Sequence, residues 1–149
     1  MIFLLDVNVV IALLDPLHIN HHVAHNWFSA EAESAFATCP LTENGALRIM
    51  GHPRYPNSPG GPASVAPKLA SLCRLPGHSF WPDDFSLLGP SVDRTRLLAS
   101  AQVTDSYLLG LAVLNGGELA TLDRRIIPSA IAGGEQALHV IAAKASDPQ

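Results

Sequence analysis

Residues Met1 to Asp15 read MIFLLDVNVVIALLD. An aspartate, Asp6, interrupts a run that otherwise looks like buried core. Burying a carboxylate without a partner is costly. Two arrangements resolve the conflict. Either the acid stands at a surface where a strand ends, or something cationic meets it. The residues before it, Ile2 to Leu5, are a continuous apolar run, read as a strand buried on both faces. Those after it, Val7 to Leu14, have the length of a helix, which Asp15-Pro16 stops.

Working along the chain, the spacing of Val23, Trp27 and Phe28 predicts an amphipathic helix from His18 to about Glu33. Ala35 to Thr38 reads as a second strand. Thr42 is the expected N-cap of a helix from Glu43 to Met50, which Gly51 and Pro53 end. His52 to Pro67 is rich in proline and glycine and reads as a loop. Lys68–Leu75 reads as a helix, His78–Trp81 as a short strand and Val92–Ala101 as a further helix. Val103 to Leu114 has a buried face of Leu108, Leu111, Ala112 and Leu114, with Thr104 as its cap. Asn115-Gly116-Gly117 stops it. Glu118–Leu122 and Leu138–Ala142 read as strands. Strands alternating with helices predict an α/β fold around a mostly parallel sheet.

The chain has 149 residues, 48% hydrophobic and 15% charged, which suits one domain with a sizeable core. That composition does not fit a disordered chain. The opening apolar run lacks a basic n-region and a small-residue cleavage site, so it does not read as a signal peptide. No stretch reaches the roughly 18 apolar residues of a membrane span. A cytoplasmic location is expected. Cys39 and Cys73 lack CxxC spacing and read as reduced thiols. The net charge of −4 argues against a broad, non-specific nucleic-acid binder. Thirteen acids face nine Lys and Arg residues, but setting aside Asp6, Glu43, Asp105 and Asp123 leaves the two signs equal. A polyanionic substrate therefore stays open.

Those four acids share a placement. In α/β sheets, ligands sit beyond the carboxyl ends of the strands. Asp6 and Asp123 each follow a strand at that end, and Glu43 and Asp105 each lie in the first turn of a helix. In a parallel sheet all four are expected on one rim. Converging carboxylates repel one another. A hard divalent cation relieves the repulsion, and Mg²⁺ takes oxygen ligands. Taken singly, each acid has a plainer use at a helix start or turn. Their common edge is what points to a metal site.

The segments LLDVNVVIALL, CPLTENGALRIM, VTDSYLLGLA and ATLDRRI resemble, in order and spacing, the four acidic motifs of PIN domains, and more narrowly those of VapC-type toxins of bacterial toxin–antitoxin pairs. The resemblance runs from Met1 to about Ile141. It implies a PIN-like three-layer sandwich, α/β, with a central, mostly parallel five-stranded sheet flanked by helices. It makes residues 1–142 a PIN domain and residues 143–149 a C-terminal tail. By this resemblance Asp6, Glu43, Asp105 and Asp123 match the acidic quartet, and Asn8 an accessory polar position. The resemblance implies dependence on Mg²⁺ or Mn²⁺, cleavage of RNA phosphodiester bonds, a homodimer, and neutralisation by a cognate antitoxin. In such a site Asp6 and Asp105 are the expected direct ligands, with Glu43 and Asp123 completing the set. Attack by water would leave 5′-phosphate and 3′-hydroxyl ends. Arg124, beside Asp123, is a candidate contact to an RNA phosphate.

Other readings compete. His18, His22 and His25 share a helix face and could hold Zn²⁺. An aspartyl-nucleophile phosphatase wants Asp-x-Asp, but Asn8 fills the second position. A catalytically silent PIN-like protein-interaction module would have the fold without the metal. Trp27-Phe28 and Phe80-Trp81 read as core or dimer-contact pairs, with RNA stacking as the alternative.

Overall fold

Side chains alternate across a strand. In the first strand, β1 (Phe3–Leu5), Phe3 and Leu5 enter one core while Leu4 enters another. The computed structural model describes residues 1–142; the expected tail, 143–149, lies outside the described residues. The other strands are β2 (Phe36–Thr38), β3 (His78–Phe80), β4 (Glu118–Thr121) and β5 (Leu138–Val140). All pairings are parallel, in the order β3-β2-β1-β4-β5. The helices are α1 (Val7–Leu14), α2 (His21–Trp27), α3 (Pro40–Met50), α4 (Pro62–Cys73), α5 (Val103–Leu114) and the short α6 (Gly134–Ala137).

Phe3, Leu5, Phe36 and Ala120 pack with Val9, Val10, Trp27, Met50 and Leu69 on one face of the sheet. Leu4, Ala37 and Leu119 pack with Leu108, Leu111, Ala112 and Ala137 on the other. The two cores make the expected three-layer α/β sandwich. The chain leaves β1 toward β2 and β3, then returns to place β4 on the other side of β1. The strand order therefore reverses between β1 and β4, and the crevice beyond their carboxyl ends is the favoured ligand position.

Several boundaries differ from the sequence reading. The helix expected from His18 starts at His21 and continues as a π-helical turn, Phe28–Ala32. Helix α3 starts at Pro40, with Cys39 rather than Thr42 as its cap residue. Thr42 instead accepts from the Cys39 N–H at 3.0 Å, the returning half of a capping box. Helix α4 begins inside the expected loop, with Pro62 in its first turn. It carries Pro67 in its interior because Val65, Leu69 and Leu72 bury one face, and that packing outweighs the proline. Helix α5 starts after Gln102, and Thr104 does not cap it.

The helix expected over Val92–Ala101 is absent. Val92 bridges Ile131, and 3₁₀ turns occupy Arg94–Arg96 and Ser100–Gln102. The Asp93 carboxylate accepts from the Thr95 N–H at 3.1 Å, which competes with helical bonding. Leu98 is 82% exposed, so no apolar face anchors a helix here.

Gly77 leads into β3 and marks a close approach of chain to chain. A Cβ there would lie 2.1 Å from the Glu33 carbonyl oxygen. That backbone atom cannot step aside. Gly77→Ala should cost about 1–3 kcal/mol through overpacking. Thermal unfolding should show a lower melting temperature, and an unchanged one would refute the contact.

Candidate active site at the β1–β4 crevice

Asp6 follows β1 at its carboxyl end and is 6% exposed. It caps α1, its Oδ1 accepting from the Val7 N–H at 2.7 Å. Its Oδ2 accepts from the Thr121 hydroxyl at 2.8 Å and from Asn8 Nδ2 at 3.4 Å. Thr121, the last residue of β4, also accepts from Asn8 Nδ2 at 3.2 Å and from the Asp123 N–H at 3.1 Å. One proton and two lone pairs are thus all engaged. Asn8 Oδ1 accepts from the Leu122 N–H at 3.1 Å. These bonds tie the start of α1 to the turn after β4 and hold Asp6 and Asp123 on one rim.

Asp105, third residue of α5, reaches the same rim from the other layer. Burial, then the charges of Asp6 and Asp123, push its carboxyl up to about 6, against a smaller opposing pull from Arg125. Burial also raises Asp6, opposed by its bonds from Thr121 and Val7, with Asp123 adding to the rise. Asp123 moves the other way because the Arg125 backbone N–H and guanidinium both donate to its Oδ1, at 2.9 and 3.1 Å. Asp105 thus carries an uncompensated repulsion from two neighbouring carboxylates, an arrangement that a cation would relieve.

Glu43 is engaged differently. Its Oε2 accepts from the Thr38 hydroxyl at 2.7 Å. Thr38 Oγ1 also lies 2.7 Å from His78 Nε2. Ligand atoms of Glu43, Cys73 and His78 fall within 4.8 Å of one another, the one such triad among the described residues. The three aspartates do not converge that tightly, and neither do His18, His22 and His25. The imidazole of His21 instead bonds the Ala12 carbonyl at 2.7 Å.

A groove of about 490 Å³ borders the rim, lined by Asn8, His18, Asn20, Asp123, Arg124 and Arg125 among others. Arg125, not Arg124, pairs with Asp123; Arg124 is exposed and unpaired among the described residues. Trp27, Phe28 and Trp81 are core residues, while Phe80 is exposed. Both cysteines are free thiols. The sequence reading missed Thr121 and Thr38. The available signal was a threonine closing a buried strand just before an acidic motif.

No protein-family model matches the chain. Individual proteins do. Ribonuclease VapC44 of Mycobacterium tuberculosis is 43% identical over 134 residues, covering 87% of this chain and 92% of that protein. Ribonuclease VapC39 of the same organism is 41% identical over 131 residues, covering 87% and 94%. Ribonuclease VapC38, also from that organism, is 41% identical over 120 residues, covering 80% and 84%. Similarity at this level across nearly the whole chain, on a parallel α/β sheet with acids at its switch point, places the chain in the VapC ribonuclease family, as a PIN-domain protein of the toxin type.

Proposed function

We propose that the protein is a Mg²⁺-dependent endoribonuclease toxin that hydrolyses RNA phosphodiester bonds. The observation that carries this reading is the gathering of Asp6, Asp105 and Asp123 at the β1–β4 crevice, where burial, then the charges of Asp6 and Asp123, push Asp105 up to about 6. The donor set suits Mg²⁺, being made of carboxylate oxygens. That ion usually keeps several waters and binds through one or two carboxylates plus phosphate oxygens. Asp6 and Asp105 would hold it directly. Asp123 would orient its waters, and Glu43 would complete the set by turning its free oxygen toward the crevice. Mn²⁺ would substitute.

When bound, the ion supplies a Lewis acid that polarises the scissile phosphate and eases ionisation of the attacking water. The chain's own groups do the rest. Thr121 and Asn8 fix the Asp6 carboxylate, so one orientation is presented to the ion. Arg125 keeps Asp123 ionised. Arg124 projects from the groove, where it would meet an RNA phosphate as a planar donor.

Family membership supports three further assignments: a cognate antitoxin as partner, a homodimer, and residence in the cytoplasm. No helix among the described residues is long and apolar enough to cross a membrane.

Purified protein with Mg²⁺ should cut RNA, and EDTA should stop it. Product ends should carry 5′-phosphate and 3′-hydroxyl groups. Cyclic phosphate ends, or full activity in EDTA, would overturn the mechanism. Arg124→Ala should raise KM for RNA while leaving the Mg²⁺ dependence unchanged.

A further inference from the structure

We propose that Glu43, Cys73 and His78 form a second cation site, selective for Zn²⁺ over Mg²⁺, beside the carboxyl end of β2. Each ligand comes from a different packed element: the first turn of α3, the last residue of α4 and the first residue of β3. Their ligand atoms lie within 4.8 Å of one another. A tetrahedral Zn²⁺, with bonds of about 2.0–2.3 Å, sets its ligands roughly 3.3–3.8 Å apart. Side-chain adjustments of about 1 Å close that gap.

Thr38 explains why the three converge without a metal. Its Oγ1 lies 2.7 Å from Glu43 Oε2, 2.7 Å from His78 Nε2 and 3.8 Å from Cys73 Sγ. It has one proton, which it donates to Glu43, so it accepts from the imidazole N–H. The hydroxyl sits among the ligands and holds them together. Glu43 has no Lys or Arg partner among the described ion pairs. All three ligands are half-buried, so an ion can enter.

The donor set decides the metal. Thiolate, imidazole and carboxylate suit borderline-soft Zn²⁺, whereas Mg²⁺ wants oxygen alone. On binding, the Cys73 thiol releases its proton to solvent. His78, whose Nε2–H donates to Thr38 in the metal-free chain, changes tautomer: solvent takes the proton from Nε2 and returns one to Nδ1, which frees the Nε2 lone pair for the ion. Thr38 Oγ1 or a water takes the fourth position. Nothing is oxidised or reduced. One consequence rests on the nuclease reading above: Zn²⁺ held here withdraws Glu43 from the Mg²⁺ site and inhibits cleavage.

The test uses the full chain titrated with Co²⁺, whose thiolate bond absorbs in the near ultraviolet. Absorption should saturate at one equivalent, disappear when Zn²⁺ is added, persist in Cys39→Ser and vanish in Cys73→Ser. No band, or a band that survives Cys73→Ser, overturns the site. If Cys73→Ser fails to fold, peptide mass spectrometry of the unmodified chain decides. Zn²⁺ should shield Cys73 from alkylation, and equal labelling with and without Zn²⁺ overturns the proposal. In cleavage assays Cys73→Ser should keep Mg²⁺-dependent activity and lose Zn²⁺ inhibition. A protein that gives the band yet cuts no RNA keeps this site, and the nuclease reading falls instead.

Discussion

Asp6→Asn should lower RNA cleavage by more than about 100-fold, since outer partners of metal ligands alone account for 10–100-fold losses. The substitution is nearly isosteric. The amide oxygen still accepts from the Val7 N–H, so the start of α1 keeps its cap. What disappears is the negative charge at the centre of the Thr121–Asn8 network. The amide nitrogen that replaces Oδ2 also faces the Thr121 hydroxyl and Asn8 Nδ2, both donors, so the variant should melt somewhat lower than the parent without metal. Fold and chemistry still separate in the response to Mg²⁺, which should stabilise the parent and not the variant. Asn8→Ala should fall between parent and Asp6→Asn, because it loosens Asp6 and the Leu122 turn without removing a charge. Cleavage assays and melting curves on the three proteins check this. Activity of Asp6→Asn at the parental rate would remove the aspartates from the mechanism.

The opening fifteen residues carry most of what the sequence reveals. A both-faces-buried strand, an acid and a helix are dictated by apolar run length and by the cost of burying a carboxylate, and all three appear in place. The sheet order follows less directly, because β2 and β3 are three-residue strands whose pairing depends on α3 and α4 packing over them. The failures share a cause. Pro62 and Pro67 are strong local signals for loop, yet Val65, Leu69 and Leu72 find a core to enter and α4 forms. Val92–Ala101 has acceptable local helix formers, but most of it has nothing to bury. Tertiary packing, which a one-dimensional reading cannot weigh, decides both cases.

Within the site, the acids could be found because buried or rim charges stand out against apolar neighbours. Thr121 and Thr38 stand out far less, because threonine is ordinary in strands and only their place just before an acidic motif marks them. Only the fold shows each hydroxyl at the centre of a network, one joining Asp6, Asn8 and Asp123, the other joining Glu43 and His78. Glu43 illustrates the limit of motif spacing. Its place in the first turn of α3 is readable from sequence, whereas its engagement with Thr38 depends on the packing of β2, β3 and α4.

The same charges make stability depend on pH and Mg²⁺ together. Asp105 is pushed up to about 6 from an ordinary value of 3.8. Between those values the folded chain keeps a proton that the unfolded chain has lost, so this group's contribution is full at low pH and is lost as pH rises through 6. Asp6 moves in the same direction. Asp123 moves down, so its contribution is present above 3.8 and changes only below it, outside this window. Discounted for the solvent that reaches a half-exposed carboxyl, the Asp105 effect is on the order of 1 kcal/mol. That corresponds to about 2–4 °C for a chain of this size. Asp105→Asn should therefore melt higher than the parent at pH 7.5 without metal, and the two should converge toward pH 4.5. Mg²⁺ should reverse the order at pH 7.5. At 100 times its dissociation constant a ligand adds about 2.7 kcal/mol to the parent, a gain that the variant forgoes. The parent's Mg²⁺ response should shrink toward pH 5, where protons compete for the same oxygens. Calorimetric scans of both proteins, with and without Mg²⁺, decide the matter. Parallel pH curves for parent and variant would mean that Asp105 is not strained by its neighbours, and the crevice would lose its claim as a cation site.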